Sequence, residues 1–405
     1  MLVAVIGGGP AGMMAAYAAA ENGASVTLFD RNEKLGKKLF ISGKGRCNLT
    51  NDSDVNEHIA NVVTNPRFMY SAYKALSPHD LMQMIESTGV PLKTERGNRV
   101  FPVSDKSSDI LAALKRLLSY YPIEICLNER VLSVTNASDH FSLHTDAREL
   151  SFDKVIICTG GNTYQATGST GDGYTFAKKF GHSVETLRPA LVGLKANIPT
   201  ELAGLSLKNV RLSVKEGKEI ITEEFGEMLF THSGISGPIV LTISSRINKM
   251  PLSSLSFFID LKPAITMEVL DDRLLREFSS APNKSIKNVL PTLMPKSLIS
   301  YVLEKARLSV DIPVHSITKE ARLTLCSVLK SLPISVLGFE EFNGAIVTSG
   351  GVKVTEIDPK NMQSKLVDGL YFAGEVLDVD ALTGGFNLQI AFSTGYLAGM
   401  SAANG

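Results

Sequence analysis

Three glycines at G-x-G-x-x-G spacing stand between an apolar strand and an alanine-rich helix at the head of the chain, and few folds accommodate that. Residues Val3 to Asp30 read VAVIGGGPAGMMAAYAAAENGASVTLFD. Leu2–Ile6 predicts a buried strand. Gly7 permits a tight turn, Gly9 lets a pyrophosphate approach the backbone, and Gly12 lets helix and strand pack closely. Pro10 and Ala11 lie in the same turn, where helix N–H groups and the positive dipole end suit phosphate. A second apolar strand, Val26–Phe29, ends in Asp30, 18 residues past Gly12. That carboxylate is placed to accept hydrogen bonds from a ribose 2′-OH. It also disfavours a 2′-phosphate, with Arg31 as a counterweight. The unit predicts a dinucleotide site.

At 405 residues the chain has room for two or three domains and a sizeable core. Its 44% hydrophobic and 20% charged content is that of a soluble globular protein. Lys and Arg number 41, as do Asp and Glu. This zero net charge argues against a basic nucleic-acid surface and against a polybasic membrane patch. Residues 1–20 carry no charged side chain, yet glycines and Pro10 break the run and no basic n-region precedes it. The chain therefore reads as cytoplasmic. Cys47, Cys126, Cys158 and Cys326 are scattered with no C-x-x-C pair. No disulfide framework, metal site or dithiol reductase mechanism is expected.

Two later strands point to which dinucleotide is held. Phe152–Gly161 reads FDKVIICTGG, and Gly369–Glu375 reads GLYFAGE. The second leads into TGGFNLQ at Thr383–Gln389 and a helix of small residues. This arrangement resembles the glutathione-reductase-type flavoproteins, in which a late strand brings a carboxylate to the ribityl chain. Asp is usual there, and Glu375 departs from it with a longer arm. The segments KLGKKLFISGKGRCN (Lys34–Asn48), RVFPVSDKS (Arg99–Ser107), GSTGDG (Gly168–Gly173), FTHSGISGP (Phe230–Pro238) and GEVLDVDALTGGFNLQ (Gly374–Gln389) narrow the likeness. Together they resemble the BaiN-like flavoprotein family, which includes YhiN, aminoacetone oxidase and bile-acid-inducible reductase members. The likeness runs the full length of the chain; Ile390 departs from an expected Trp.

The resemblance implies FAD. Its binding set on this chain is Gly7, Gly9, Pro10, Ala11, Gly12, Asp30, Arg31, Lys38, Ser42, Gly43, Gly45, Arg46, Asn48, Val131, Thr159, Gly160, Gly161, Gly374, Glu375, Gly385, Phe386, Asn387, Leu388 and Gln389. Within that set, Arg46 suits an anionic phosphate by bidentate geometry. Of Lys37 and Lys38, one faces phosphate and the other solvent. The helix opening near Asn387 is expected to aim its N-terminus at the flavin N1–C2=O edge, where the reduced ring is anionic. Catalytic residues stay open. His232, Asp378 and Asp380 are weak candidates, Tyr164 and Arg99 weaker still. Cys47 reads as a small buried residue rather than a redox thiol.

The expected fold class is α/β: a Rossmann-like FAD-binding domain of glutathione-reductase type, split by an insertion. Residues 1–190 and 341–405 form the FAD-binding domain. Residues 191–265 alternate apolar and polar side chains and predict a β-barrel or sandwich. Residues 266–340 show helical periodicity, as in MEVLDDRLLREF, and predict a helical subdomain. Such an insertion caps the flavin and shapes a substrate cavity. Short strands at Ile123–Leu127, Val131–Val134 and Phe141–Thr145 are expected to form a β-meander. No second G-x-G-x-x-G follows a strand between residues 180 and 340. A separate NAD(P) domain is not expected, so NAD(P)H would act only as a transient electron donor.

The functional expectation is an FAD-dependent oxidoreductase acting on a small-molecule substrate, without nucleic acid or membrane as partner. Amine oxidation with O2 and NAD(P)H-linked reduction of an activated C=C bond both remain open. The alternatives are a flavin-dependent RNA-modifying enzyme and a non-catalytic flavin-binding sensor. Oligomeric state is unreadable from the sequence.

Overall fold

The computed structural model describes residues 1–137 and 139–405, which form two compact units. Unit 1 comprises Met1–Ala190 and Ala345–Gly405; unit 2 is Leu191–Gly344.

Unit 1 is built on five parallel strands: β1 (Leu2–Ile6), β2 (Ser25–Asp30), β3 (Glu124–Leu127), β4 (Lys154–Ile157) and β5 (Leu370–Phe372). Their order is β5-β4-β1-β2-β3. Val3, Ala4 and Val5 on central β1 are fully buried, as a parallel sheet covered on both faces requires. The Ala-rich helix α1 (Pro10–Glu21) starts directly after the glycine turn, with Pro10 in its first turn. A short helix, α2 (Val55–Asn61), is capped by Asp54, whose carboxylate accepts from Glu57 N at 2.9 Å. Further on, α3 (Ser107–Leu118) turns one apolar face inward.

The last helix, α4 (Phe386–Asn404), runs hard against α1. A Cβ on Gly395 would lie 2.2 Å from Ala11 O, and one on Gly399 would lie 2.1 Å from Ala15 O. Small residues on both helices therefore set this approach. Because α1 carries the glycine turn at its start, its packing with α4 ties the two chain ends together.

One local expectation fails. Glu124–Leu127 pairs in parallel with β2 as the sheet's edge strand, not with the meander. The meander is instead Val131–Ala137, His140–Thr145 and Glu149–Phe152. A four-residue apolar run carries no mark of its partner, and here the free edge of β2 takes it.

Unit 2 has its own core and contains a closed six-stranded barrel. Its strands run, around the barrel, Leu194–Asn197, Gly234–Ser236, Glu219–Phe230, Ser206–Glu216, Leu255–Asp260 and Leu332–Phe339. The barrel-or-sandwich alternative thus resolves to a barrel. Its closing strand comes from beyond the helices Met267–Ser280, Lys296–Lys305 and Lys319–Lys330. Closure leaves no unpaired edge. Among the described residues no helix is long and apolar enough to cross a membrane.

Candidate functional site

The candidate site belongs to unit 1, at the carboxyl ends of its parallel strands, where open α/β sheets hold dinucleotides. Gly12 is confined: a Cβ there would lie 1.7 Å from Gly7 O. Gly9 is the opposite, with no heavy atom within 4 Å of its would-be Cβ. The backbone at Gly9 therefore borders open space at the N-terminus of α1, which has no side-chain cap. That is the arrangement a pyrophosphate needs.

Asp30 ends β2 with its carboxylate turned inward. Oδ2 accepts from Gly8 N at 2.8 Å, and Oδ1 accepts from Asn32 N at 2.8 Å. Burial raises its pKa, and these N–H donors oppose the rise. Asp30 thus braces the glycine turn from below, a role the sequence reading did not include. Arg31 donates to Thr170 Oγ1 at 2.8 Å and lies 3.6 Å from Asp172, which Arg130 also engages. Arg31 therefore shares one carboxylate with Arg130, which binds it at the shorter distance of 3.0 Å. Val131 is buried in the meander opposite Thr145.

Lys34–Asn48 folds as a short helix, Lys37–Ile41, and a turn, Ser42–Gly45. Lys37 pairs with Glu33, and Lys38 turns into the site. Lys38 Nζ lies 2.7 Å from Thr163 Oγ1 and 2.6 Å from Glu375 Oε2. Glu375 Oε1 in turn accepts from Thr348 N at 2.8 Å. Gly161 must be glycine for this cluster: its Cβ would fall 2.4 Å from Thr348 Oγ1 and 2.8 Å from Glu375 Oε1. Thr163 and Thr348 were not singled out in the sequence, where nothing distinguishes them from any surface threonine.

Arg46 does not stand free for a phosphate. Its guanidinium bonds to Glu95 and Asp105 and stacks over Phe101 at 4.1 Å from the ring centroid. Lys93 joins the same acids. Ser42 donates to Leu39 O, and Gly43 and Gly45 shape the turn with positive φ. Asn48 differs: its Oδ1 is buried with no partner. Thr159 Oγ1, beside Gly160, is likewise buried and unpartnered.

The turn before α4 is tightly held. Gly385 packs onto Thr50, Asn387 ties back to Ala381 at 2.9 and 2.7 Å, and Leu388 is partly buried. Gln389 is fully buried, accepting from Thr50 Oγ1 at 2.6 Å and donating to Leu76 O and Ser393 Oγ. Phe386 and Gln389 therefore build the turn, while the uncapped helix N-terminus after Gly385 keeps its N–H groups available. Gly374 N bonds to Thr394 Oγ1 of α4 at 2.9 Å. Asp378 and Asp380 are buried in the connecting loop, accepting from Asn65 Nδ2 at 3.0 Å and Ser349 Oγ at 2.9 Å. Tyr164 is held at φ 53° with the Lys38 ammonium 5.8 Å from its ring. Arg99 is exposed and donates to Arg96 O. His232 lies exposed in a turn of unit 2. Cys47 is fully buried, and burial pushes its thiol up to about 12, which removes thiolate chemistry at neutral pH. Among the described residues no group of three or more His, Cys, Asp or Glu is placed to hold a metal ion.

An FAD fits what the chain presents. The open space at Gly9 and the uncapped N-terminus of α4 suit anionic groups, while the orphaned Asn48 Oδ1 calls for a hydrogen-bond donor and the orphaned Thr159 Oγ1 for a polar partner, a mixture that FAD carries.

The parallel sheet, the glycine turn and the split unit 1 define a Rossmann-type dinucleotide-binding fold. The chain belongs to the family described as HI0933-like protein Rossmann domain, which it matches over residues 1–401. It is 31% identical to a Clostridium scindens protein named 3-dehydro-bile acid delta(4,6)-reductase, covering 99% of this chain and 98% of the relative. It is 32% identical to a Haemophilus influenzae protein named ribosomal RNA dihydrouridine synthase, covering 98% and 97% respectively. A similar fold occurs in the 3-ketosteroid-delta4-(5alpha)-dehydrogenase of Rhodococcus jostii RHA1. That structure has a TM-score of 0.54 at 14% identity, covering 99% of this chain and 96% of that one. The chain is an oxidoreductase of this flavoprotein family.

Proposed function

We propose that this protein binds FAD and uses it, with NAD(P)H as electron donor, to saturate a C=C bond conjugated to a carbonyl. One observation carries the reading. Relatives under two different names, each matched over nearly its whole length, are named for the same change. A 3-oxo-4,6-diene and a uracil ring both hold a C=C bond conjugated to a carbonyl. A delta(4,6)-reductase and a dihydrouridine synthase both remove such a bond. Neither name describes amine oxidation.

The chain's own groups divide the work. The N-terminus of α1 and the open face of Gly9 receive the pyrophosphate. Asp30, whose oxygens already brace the glycine turn, would offer its remaining lone pairs to the adenosine ribose. Lys38 and Glu375, locked to each other, present one polar wall to the ribityl chain. The uncapped N-terminus of α4 would hold the pyrimidine edge of the flavin and would favour negative charge there. FAD supplies the two-electron transfer that none of these side chains performs.

A second reading concerns the substrate: a uridine within RNA, favoured by the dihydrouridine synthase relatives, which match at 31–32% identity against 31% for the reductase. The two share one experiment. The FAD-loaded protein is mixed anaerobically with NADPH or NADH, then with a conjugated steroid dienone or a uridine-containing ribosomal RNA transcript. Bleaching of the flavin by a nicotinamide, followed by return of colour with either acceptor, supports the reading and picks the substrate. Bleaching by amines alone, with no response to nicotinamides, overturns it.

A further inference from the structure

His58 is the most completely buried histidine in unit 1 that the site reading leaves unused. It is 0% exposed, on the inner face of α2. Its Nε2 lies 2.9 Å from the backbone oxygen of Asn51. A carbonyl only accepts, so Nε2 carries the proton and Nδ1 holds a lone pair. Burial lowers the pKa of His58, which keeps this neutral form. Nδ1 is buried with no partner, and so is the hydroxyl of neighbouring Tyr73, whose ring lies 5.5 Å from the imidazole. Packing alone does not call for a histidine here. An apolar ring would fill the space and leave no lone pair stranded.

The polar service His58 performs is its bond to Asn51 O, and that bond leads to the flavin turn. Asn51 is 4% exposed, and its amide donates to Gly384 O at 3.1 Å and to Gly97 O at 2.9 Å. Adjacent Thr50 leaves no room at Gly385, where a Cβ would lie 2.3 Å from Thr50 O. On its other side the His58 ring stands edge-on to Phe386, the first residue of α4, with centroids 4.9 Å apart. His58 therefore touches both halves of the turn: Gly384 through Asn51, and Phe386 directly.

We infer that His58 is a positioning residue that fixes the aim of the α4 N-terminus and thereby tunes the reduction potential of the bound flavin. This rests on the reading that the turn faces the flavin pyrimidine edge. With the turn fixed, the free N–H groups and positive end of α4 point at one place. Negative charge that arrives there on reduction is stabilised more than the neutral oxidised ring. A turn that wavers loses part of this preference without losing the cofactor.

The test uses the FAD-loaded full chain and the equilibrium of its flavin with a redox dye. His58→Phe keeps the ring and removes the donor. It is expected to shift the equilibrium about two- to fivefold toward oxidised flavin, the scale of a helix-terminus interaction. His58→Gln, which restores a donor, returns most of the shift. His182→Phe, at a buried histidine bonded to Ser364 and Glu356 instead, lowers the melting temperature and leaves the equilibrium unchanged. Should His58→Phe fail to fold, Asn51→Ser removes the link to Gly384 and is expected to shift the equilibrium the same way. A loaded His58→Phe or Asn51→Ser protein with the wild-type equilibrium overturns the inference alone. A wild-type chain that takes up no FAD overturns it together with the reading beneath it.

Discussion

Lys38 and Glu375 meet at 2.6 Å although 337 residues separate them, and each is only about a quarter exposed or less. The contact joins the short helix after β2 to the end of β5, so it closes one wall of the site. The charges are also hydrogen-bonded: Lys38 to Thr163, Glu375 to Thr348 N. That distinguishes the pair from an isolated surface ion pair, whose worth is near zero.

A double-mutant cycle measures this coupling. Lys38→Met and Glu375→Gln are each expected to weaken FAD binding by about tenfold and to lower stability by about 1–3 kcal/mol. The double variant is expected to lose less than the sum, with a coupling of about 1 kcal/mol. Fluorescence titration with FAD and urea denaturation read both quantities. Additive losses would show that the two side chains act independently.

Gly385 carries a sharper prediction. Its φ is 103°, and an added Cβ meets Thr50 O at 2.3 Å, so Gly385→Ala is strained by conformation and by contact. We expect a loss of about 1–3 kcal/mol in stability. Gly385→Val is expected to leave the purified protein depleted of flavin or with a lower reduction potential. The ratio of flavin to protein absorbance, with a dye titration, checks it; wild-type values of both would refute the placement of the turn.

What was legible in the chain follows from which signals are local. The glycine turn, Asp30 at the end of β2 and the TGGFNLQ turn are defined by neighbours in sequence, and the fold places them accordingly. The apolar alternation of residues 191–265 announced a barrel or sandwich, though the closing strand, Leu332–Phe339, lay beyond the helices. For Arg46, a guanidinium in a glycine-rich loop looks the same whether it meets phosphate or Glu95 and Asp105; only the fold brings those acids to it. His58 and Thr348 were invisible for the same reason. Their chemistry comes from partners remote in space or from burial, and no spacing encodes either.

The four cysteines give an independent check on the exclusion of thiol chemistry. All are buried and free. Burial pushes Cys47 and Cys126 up to about 12, Cys326 up to about 11, and Cys158 higher still. A thiolate-seeking disulfide reagent at pH 8 is therefore expected to label the native protein far more slowly than the urea-unfolded chain, which should titrate 4 thiols. Fast labelling of Cys47 in the native state would reopen it as a redox group.

The buried histidines set a pH dependence whose sign can be worked out. His58 and His182 both have pKa values lowered by burial, so above about 6.5 both are neutral in the folded and the unfolded chain. As pH falls through that value, the unfolded chain takes up protons that the folded one refuses, and stability declines. The loss continues until the lowered folded pKa is reached and then levels off. Each histidine contributes a slope of up to about 1.4 kcal/mol per pH unit within that window. Urea denaturation at pH 7.5, 6.5 and 5.5 should show stability falling across the lower step and nearly flat across the upper one. His182→Phe, which removes one of the two groups, should roughly halve the fall, even though its overall stability is lower. A wild-type protein equally stable at pH 7.5 and 5.5 would mean that the imidazoles are protonated in place, and that the bond from His58 to Asn51 does not depend on the neutral ring.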